Sequence, residues 1–111
     1  MRYVLALSVF FVLFSHAAGQ GVHPIKIQIN GIELHYIEKG QGEALLLLHG
    51  GTGDYRSWNP QIEAFVPDYR VISYSRRYHY PNQNPLAAVN HSALVEADDL
   101  AALLKKLEAI I

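Results

Sequence analysis

The sequence has 111 residues, of which 50% are hydrophobic and 17% are charged, and this composition predicts one globular domain rather than a disordered chain. A formal net charge of -1 excludes the strongly basic surface of most nucleic-acid-binding proteins, so no nucleic-acid partner is expected. The absence of cysteine excludes a disulfide framework and a thiolate metal site.

Residues 1–19 have the pattern of a secretory signal peptide. Arg2 gives a positive start, residues 3–14 are apolar except for Ser8, and residues 15–19 are small or polar. The apolar stretch is shorter than the roughly 20 residues that cross a bilayer. We therefore expect residues 1–19 to be removed, residues 20–111 to form the mature domain without a permanent membrane anchor, and the protein to be secreted or periplasmic.

An antiparallel hairpin is predicted around Asn30-Gly31. Apolar residues alternate with polar ones on both sides of this dipeptide, over 25–29 and 32–36. This period of two is typical of strands with one buried face, and Asn-Gly supplies the two positive φ angles of a type I′ turn.

A strand buried on both faces is predicted next, because residues 44–48 form an uninterrupted apolar run. The glycine-rich segment 49–54, called the glycine loop below, leads into a short helix with Ser57 or Asn59 as candidate N-cap. The apolar residues of this helix stand at helical spacing and are expected in the core: Trp58, Ile62 and Phe65.

The rest of the chain predicts a strand over 71–74, an irregular polar loop over 75–85 and a helix from about residue 91. His79 and His91, in or beside this loop, are expected to be solvated. The last helix has acidic residues early and lysines late, an order that suits the helix dipole. Its apolar positions are Leu94, Ala97, Ala101, Leu104 and Leu107.

The glycine loop is the segment that indicates chemistry. A turn between a buried strand and a helix brings backbone N–H groups to the carboxyl edge of the sheet, where ligands of open α/β sheets bind. Glycines remove side chains that would block a ligand, so an anion or a developing oxyanion would be stabilised there. The same residues also fit a permissive turn without chemistry.

The segments LLLLHGGTGDYRSW, YRVISYSRRYHYPN and VEADDLAALLKKL together resemble the α/β-hydrolase superfamily. With the opening hairpin, the resemblance covers roughly residues 25–111. It implies an α/β fold with strand order 1-2-4-3, an antiparallel first hairpin, later parallel pairing and two main helices. It also implies that these residues are the N-terminal part of the domain, before the nucleophile elbow.

The resemblance gives the glycine loop specific roles. The backbone N–H groups of Gly51 and its neighbour Thr52 would form an oxyanion hole that stabilises a tetrahedral intermediate. Asp54 would lie at the rim of the pocket, or would serve as a turn or capping residue. Three other residues are expected to support the loop and to take no part in the reaction: His49, Gly50 and Gly53.

The resemblance also implies that the catalytic triad is not in this sequence. No Gly-x-Ser-x-Gly elbow occurs, and the serines present lack flanking glycines: Ser57, Ser73, Ser75 and Ser92. We therefore expect no nucleophile and no turnover from the residues given. The intact protein would hydrolyse a small-molecule ester, epoxide or related substrate without metal or cofactor, and its oligomeric state stays open.

Two other interpretations remain open. An NADP-type dinucleotide-binding unit would use the glycine loop and the pair Arg76-Arg77 for the phosphates, although Arg56 stands where the third fingerprint glycine belongs. A non-catalytic interaction module is the other, although an unpaired apolar strand over 44–48 would favour aggregation.

Overall fold

The computed structural model describes residues 23–86 and 91–107, which form a mixed four-stranded sheet with a helix on each face. The predicted signal peptide lies outside the described residues. The strands are β1 (Ile25–Ile29), β2 (Ile32–Lys39), β3 (Glu43–Leu48) and β4 (Tyr69–Tyr74), and the helices are α1 (Asn59–Phe65) and α2 (Ala93–Lys106).

The sheet has the order β1-β2-β4-β3, which confirms the predicted topology. β2 pairs antiparallel with both β1 and β4, whereas β3 pairs parallel with β4. The parallel register places Leu48 beside Tyr74, so β3 and β4 end together. The segments that follow these strands therefore start from the same edge of the sheet.

The opening hairpin has the predicted turn. Asn30 and Gly31 have φ angles of 50° and 79°, and Ile29 pairs with Ile32 across them. Both central residues are left-handed, as a type I′ turn requires.

The prediction that β3 is buried on both faces was wrong for most of the strand. Leu47 is buried, but residues 44–46 are half-buried and Leu48 is 45% exposed. β3 is more exposed than predicted because it lies at the edge of the described sheet and has a neighbouring strand on one side only. The most completely buried strand segment is instead 71–74 of β4, where every residue is at most 1% exposed.

Each face of the sheet has its own apolar cluster. One cluster is packed by α2 and contains Ile29, Leu34, Tyr36, Ile72, Tyr74 and Leu103. The other is packed by α1 and contains Ile37, Leu47, Ile62 and Val71, with Trp58 and Phe65 against it. Full burial of one such side chain contributes about 1.5–3 kcal/mol. The predicted core role of the α1 residues is confirmed.

The predicted caps of α1 were wrong. Its N-cap is Trp58, which makes no side-chain capping bond. The Ser57 hydroxyl instead accepts the N–H of Asp54, so it closes the turn before the helix. In α2 the Ser92 hydroxyl does cap the helix, because it accepts the N–H of Val95.

The buried face of α2 differs from the predicted apolar positions. Leu94 is 72% exposed, and Ala97 and Ala101 are also exposed, whereas Leu104 and Leu107 pack against the core as predicted. Leu103 and Asp99, which were not among the predicted apolar positions, are fully buried. Asp99 accepts two hydrogen bonds of 2.9 Å from the Arg77 guanidinium and a third of 3.1 Å from the Asn30 side-chain amide. Asp99, one of the early acidic residues that were expected to interact with the helix dipole, therefore holds α2 against the sheet through its hydrogen bonds.

The loop after β4 is irregular, as predicted, but its backbone is held by two asparagines. The Asn82 amide donates to the carbonyls of Ser75 and Arg76, and the Asn84 amide donates to those of Glu33 and Arg77. These bonds keep the loop against the carboxyl end of β4, next to the glycine loop.

Candidate oxyanion-binding loop

The glycine loop follows β3 at the edge of the sheet where β4 also ends. Backbone N–H groups at the centre of the loop make no hydrogen bond within the part of the chain that the structure describes. Among the described residues, the N–H groups of Gly51 and Thr52 have no hydrogen-bond acceptor, and both residues are exposed. A Cβ atom at Gly51 would meet no atom within 4 Å. The next four N–H groups are used internally: Gly53 to the Gly50 carbonyl (3.1 Å), Asp54 to Ser57 Oγ (3.1 Å), Tyr55 to Ser75 Oγ (2.9 Å) and Arg56 to Asp54 Oδ1 (2.9 Å).

His49 is buried and has both ring nitrogens engaged. Its Nε2 lies 3.0 Å from the backbone nitrogen of Arg76, which is a donor, so Nε2 accepts. Its Nδ1 lies 2.6 Å from the Gly50 carbonyl oxygen and carries the proton of the neutral ring. Burial lowers the pKa of His49 below 6.5, which favours this neutral form. The ring is a fixed support under the start of the loop.

His79 is not solvated, so that prediction was wrong, whereas His91 is exposed as expected. His79 is half-buried, and its Nδ1 lies 3.0 Å from the Gly53 carbonyl oxygen. Its ring meets the ring of His49 edge-on, with centroids 4.6 Å apart. Sequence reasoning missed the contact of His79 with Gly53 because the two residues lie 26 positions apart, in different loops, and no local pattern indicates such a contact.

Gly53 lies in a closely packed part of the loop. A Cβ atom there would collide with the Ser57 hydroxyl and would lie 3.3 Å from His49 Cβ. A side chain at this position would therefore displace the Ser57 hydroxyl, which accepts the N–H of Asp54.

Asp54, the candidate rim residue, is paired rather than free. Its carboxylate accepts hydrogen bonds of 2.9 and 2.8 Å from the Arg56 guanidinium, which lowers the pKa of Asp54. The same guanidinium lies over the ring of Tyr80, 4.5 Å from its centroid. The rim of the loop therefore presents an ion pair stacked on an aromatic ring.

Two buried serines of β4 and its end hold the backbone beyond the loop. Ser73 Oγ donates to the Tyr55 carbonyl at 2.8 Å, and Ser75 Oγ accepts the Tyr55 N–H and donates to the Tyr80 carbonyl. Both side chains are at most 1% exposed. Their hydroxyls therefore serve as structural bonds and are not presented to a substrate.

A half-open cleft of about 290 Å³ lies at the same edge of the sheet, between α2 and the ends of β3 and β4. Its lining is largely apolar and includes Leu48, Tyr74 and Leu100. Two polar atoms at its border, Arg76 Nε and Glu96 Oε1, are buried without a hydrogen-bond partner among the described residues. The volume of the cleft lies at the lower limit for small-molecule sites, and its lining does not include Gly51 or Thr52.

Both arginines that a dinucleotide site would use for phosphates are hydrogen-bonded within the protein. Arg77 is held by Asp99 in the buried ion pair, and Arg76 Nη2 is hydrogen-bonded to His79 at 3.2 Å. Within 23–86 and 91–107, no group of three or more potential metal ligands is present, and no helix is long and apolar enough to cross a membrane.

No protein-family model matches the sequence. An epoxide hydrolase of Caballeronia sordidicola is 34% identical over 89 residues, which are 79% of this chain and 27% of that protein. An (E)-2-((N-methylformamido)methylene)succinate hydrolase of Acinetobacter baylyi is 48% identical over 44 residues, which are 40% of this chain and 17% of that protein.

The fold is also similar to solved structures. A variant of an epoxide hydrolase from Vigna radiata matches with a TM-score of 0.74 and 29% identity, over 80% of this chain and 28% of that one. The chain thus spans between 17% and 28% of the length of these three proteins. The shared strand order and these likenesses show that the chain belongs to the α/β-hydrolase superfamily.

Proposed function

We propose that this chain contributes the oxyanion-binding loop of a hydrolase that acts on small molecules, with epoxides as the first substrate class and esters as the second. The supporting observation is the adjacent pair of N–H groups, Gly51 and Thr52, that have no acceptor among the described residues. The epoxide substrate class rests on the epoxide hydrolases to which the chain is similar.

The two donors suit a carbonyl that becomes negatively charged: that of an ester substrate or, for an epoxide, that of the ester formed when a carboxylate nucleophile opens the ring and the ring oxygen takes a proton. When an oxygen nucleophile adds to an ester carbon, the π electron pair of the carbonyl moves onto its oxygen. That oxygen would accept hydrogen bonds from Gly51 and Thr52, and it would hold them more strongly than the neutral carbonyl does. Collapse restores the carbonyl and expels the leaving oxygen, which takes the proton that the nucleophile gives up. One such donor typically lowers the barrier by about 2.7–4 kcal/mol.

The nucleophile and its acid and base partners are not assigned to any described residue. The four serines considered as nucleophiles lack the flanking glycines of an elbow, and Ser73 and Ser75 are also buried and hydrogen-bonded. We propose that the 111 residues given are inactive by themselves and that hydrolysis needs a nucleophile from elsewhere in the protein.

The experiment replaces Gly51 in the protein expressed from its complete gene. Gly51→Pro removes the N–H group, whereas Gly51→Ala keeps it and adds a methyl group in open space. We expect Gly51→Pro to lower kcat about 100- to 1,000-fold on styrene oxide or p-nitrophenyl acetate, and Gly51→Ala to stay near wild type. Equal activity of the two variants would refute the proposed role of the loop, provided that thermal unfolding shows both to be folded.

The two substrates also decide the substrate class. Faster turnover of styrene oxide supports the epoxide class, and faster turnover of p-nitrophenyl acetate supports the ester class. If the enzyme turned over neither styrene oxide nor p-nitrophenyl acetate, both proposed substrate classes would be contradicted.

We also propose that the protein is secreted or periplasmic. The support is the signal-peptide pattern of residues 1–19, with its positive start, apolar stretch and small residues.

A further inference from the structure

We propose that His79 is a positioning residue for the glycine loop: it holds the Gly53 carbonyl and thereby fixes the donors of Gly51 and Thr52. This inference rests on the proposed function, because the position of these donors matters to rate only if an oxyanion binds them. It adds a residue that the family resemblance does not assign.

Imidazole rings hold the glycine loop at both ends. The Gly50 carbonyl oxygen lies 2.6 Å from His49 Nδ1, and the Gly53 carbonyl oxygen lies 3.0 Å from His79 Nδ1. The Gly53 N–H donates to the Gly50 carbonyl at 3.1 Å and closes the turn between them. The unoccupied N–H groups of residues 51 and 52 therefore lie on a short span with both ends fixed.

Arg76 determines which ring nitrogen of the neutral His79 side chain carries the proton. Arg76 Nη2 lies 3.2 Å from His79 Nε2, and a guanidinium can only donate, so Nε2 accepts. The neutral ring then carries its proton on Nδ1, which is the atom that faces the Gly53 carbonyl. Arg76 sets the same tautomer in His49 through its backbone N–H. Arg76, two residues after the end of β4, thus orients the rings of both histidines toward the glycine loop.

The hydrogen bond of His79 can be separated from the packing of its ring. His79 also touches His49 edge-on, with the two ring planes at 65°, and this contact needs a ring but no donor. Phenylalanine keeps the ring and loses the donor. Asparagine keeps a donor on the atom equivalent to Nδ1 and loses the ring. The two variants therefore distinguish the hydrogen bond to Gly53 from the ring contact.

The experiment measures steady-state kinetics of His79→Phe and His79→Asn, with styrene oxide and p-nitrophenyl acetate, in the protein expressed from its complete gene. We expect His79→Phe to lower kcat about 10- to 100-fold, because misplacement of a donor by an ångström has effects of this size. Its KM should stay within about twofold, since the donors act on charge formed in the transition state. His79→Asn should retain most of the wild-type kcat.

A second measurement does not depend on activity. Amide hydrogen exchange at Gly53, followed by NMR, should become faster in His79→Phe and stay near wild type in His79→Asn. Unchanged exchange in His79→Phe, or an equal loss of kcat in both variants, would overturn the inference. Faster exchange with unchanged kcat would show that the loop is held by His79 but is not catalytic, which contradicts the proposed function as well.

Discussion

At the scale of single residues, His49 connects the glycine loop to the pH dependence of stability. Its Nε2 accepts an N–H group and its ring is buried, and both features oppose protonation in the folded protein. Burial holds the folded-state pKa below 6.5, the ordinary value that the unfolded chain keeps. The unfolded chain therefore binds more protons between these two pKa values, and stability is lost as the pH falls from about 6.5 through the folded pKa.

This predicts a change in the free energy of unfolding, measured by urea denaturation between about pH 7.5 and pH 5. The protein should be less stable at the lower pH, and His49→Asn should reduce the slope of this dependence. His23→Gln is the matched control, because His23 is exposed and distant in sequence from the loop. An unchanged slope in His49→Asn would contradict the assignment.

The candidate site shows which residues a sequence can and cannot reveal. The glycine loop was predicted from a local pattern, a glycine-rich turn after an apolar strand, whereas the roles of Gly51 and Thr52 within it were predicted from the resemblance to α/β-hydrolases. His79 was missed because its role depends on two loops meeting at the edge of the sheet, and a histidine in a polar loop has no local signal. Asp54 was predicted as a rim residue without its partner Arg56, although the two stand only two positions apart.

At the scale of secondary-structure elements, α2 is held to the sheet by the buried pair of Asp99 and Arg77. The Asp99 side chain is 0% exposed and that of Arg77 is 8% exposed. Removal of one partner leaves a buried charge unpaired, which typically costs about 3–5 kcal/mol. The exposed pair of Lys39 and Glu63 provides the contrast, since its side chains are 41% and 69% exposed and such pairs contribute at most about 1 kcal/mol.

We predict that Asp99→Ala destabilises the protein by about 3–5 kcal/mol in urea denaturation, whereas Glu63→Ala changes stability by less than about 1 kcal/mol. The double variant Arg77→Met with Asp99→Leu should recover much of the loss, because no buried charge is then left alone. A loss in Asp99→Ala no larger than that in Glu63→Ala would mean that the pair does not anchor α2.

Element positions were predicted well where periodicity is strong. The hairpin, the strand over 71–74 and the last helix lie where the apolar patterns placed them. The buried face of α2 was predicted only at Leu104 and Leu107, because no local pattern indicates that Asp99 is buried. The burial of β3 was overestimated, because an apolar run does not tell how many neighbours a strand has in the sheet.

At the scale of the whole molecule, the strand order came from family resemblance and not from local pattern. Strand pairing is a long-range property, and the alternation of polar and apolar residues does not say that β4 lies between β2 and β3. The solved structures similar to this chain confirm the fold class.

The cellular location is a property of the whole molecule that residues 1–19 predict. We expect the mature protein in the secreted or periplasmic fraction, with an N-terminus at residue 18 or residue 20 after cleavage behind Ala17 or Gly19. N-terminal sequencing of the protein from each cell fraction measures this. A protein that begins at Met1 and stays in the cytosolic fraction would show that the apolar stretch is not a signal peptide.

The Asn30-Gly31 turn has a chemical consequence. An asparagine followed by glycine is prone to deamidation, because the small glycine lets the next backbone nitrogen attack the side-chain amide and release ammonia. Hydrolysis of the resulting succinimide would leave a carboxylate where Asn30 now donates to Asp99. Two negative charges would then face each other at the contact between the hairpin and α2, so ageing of this one turn would loosen the attachment of the helix.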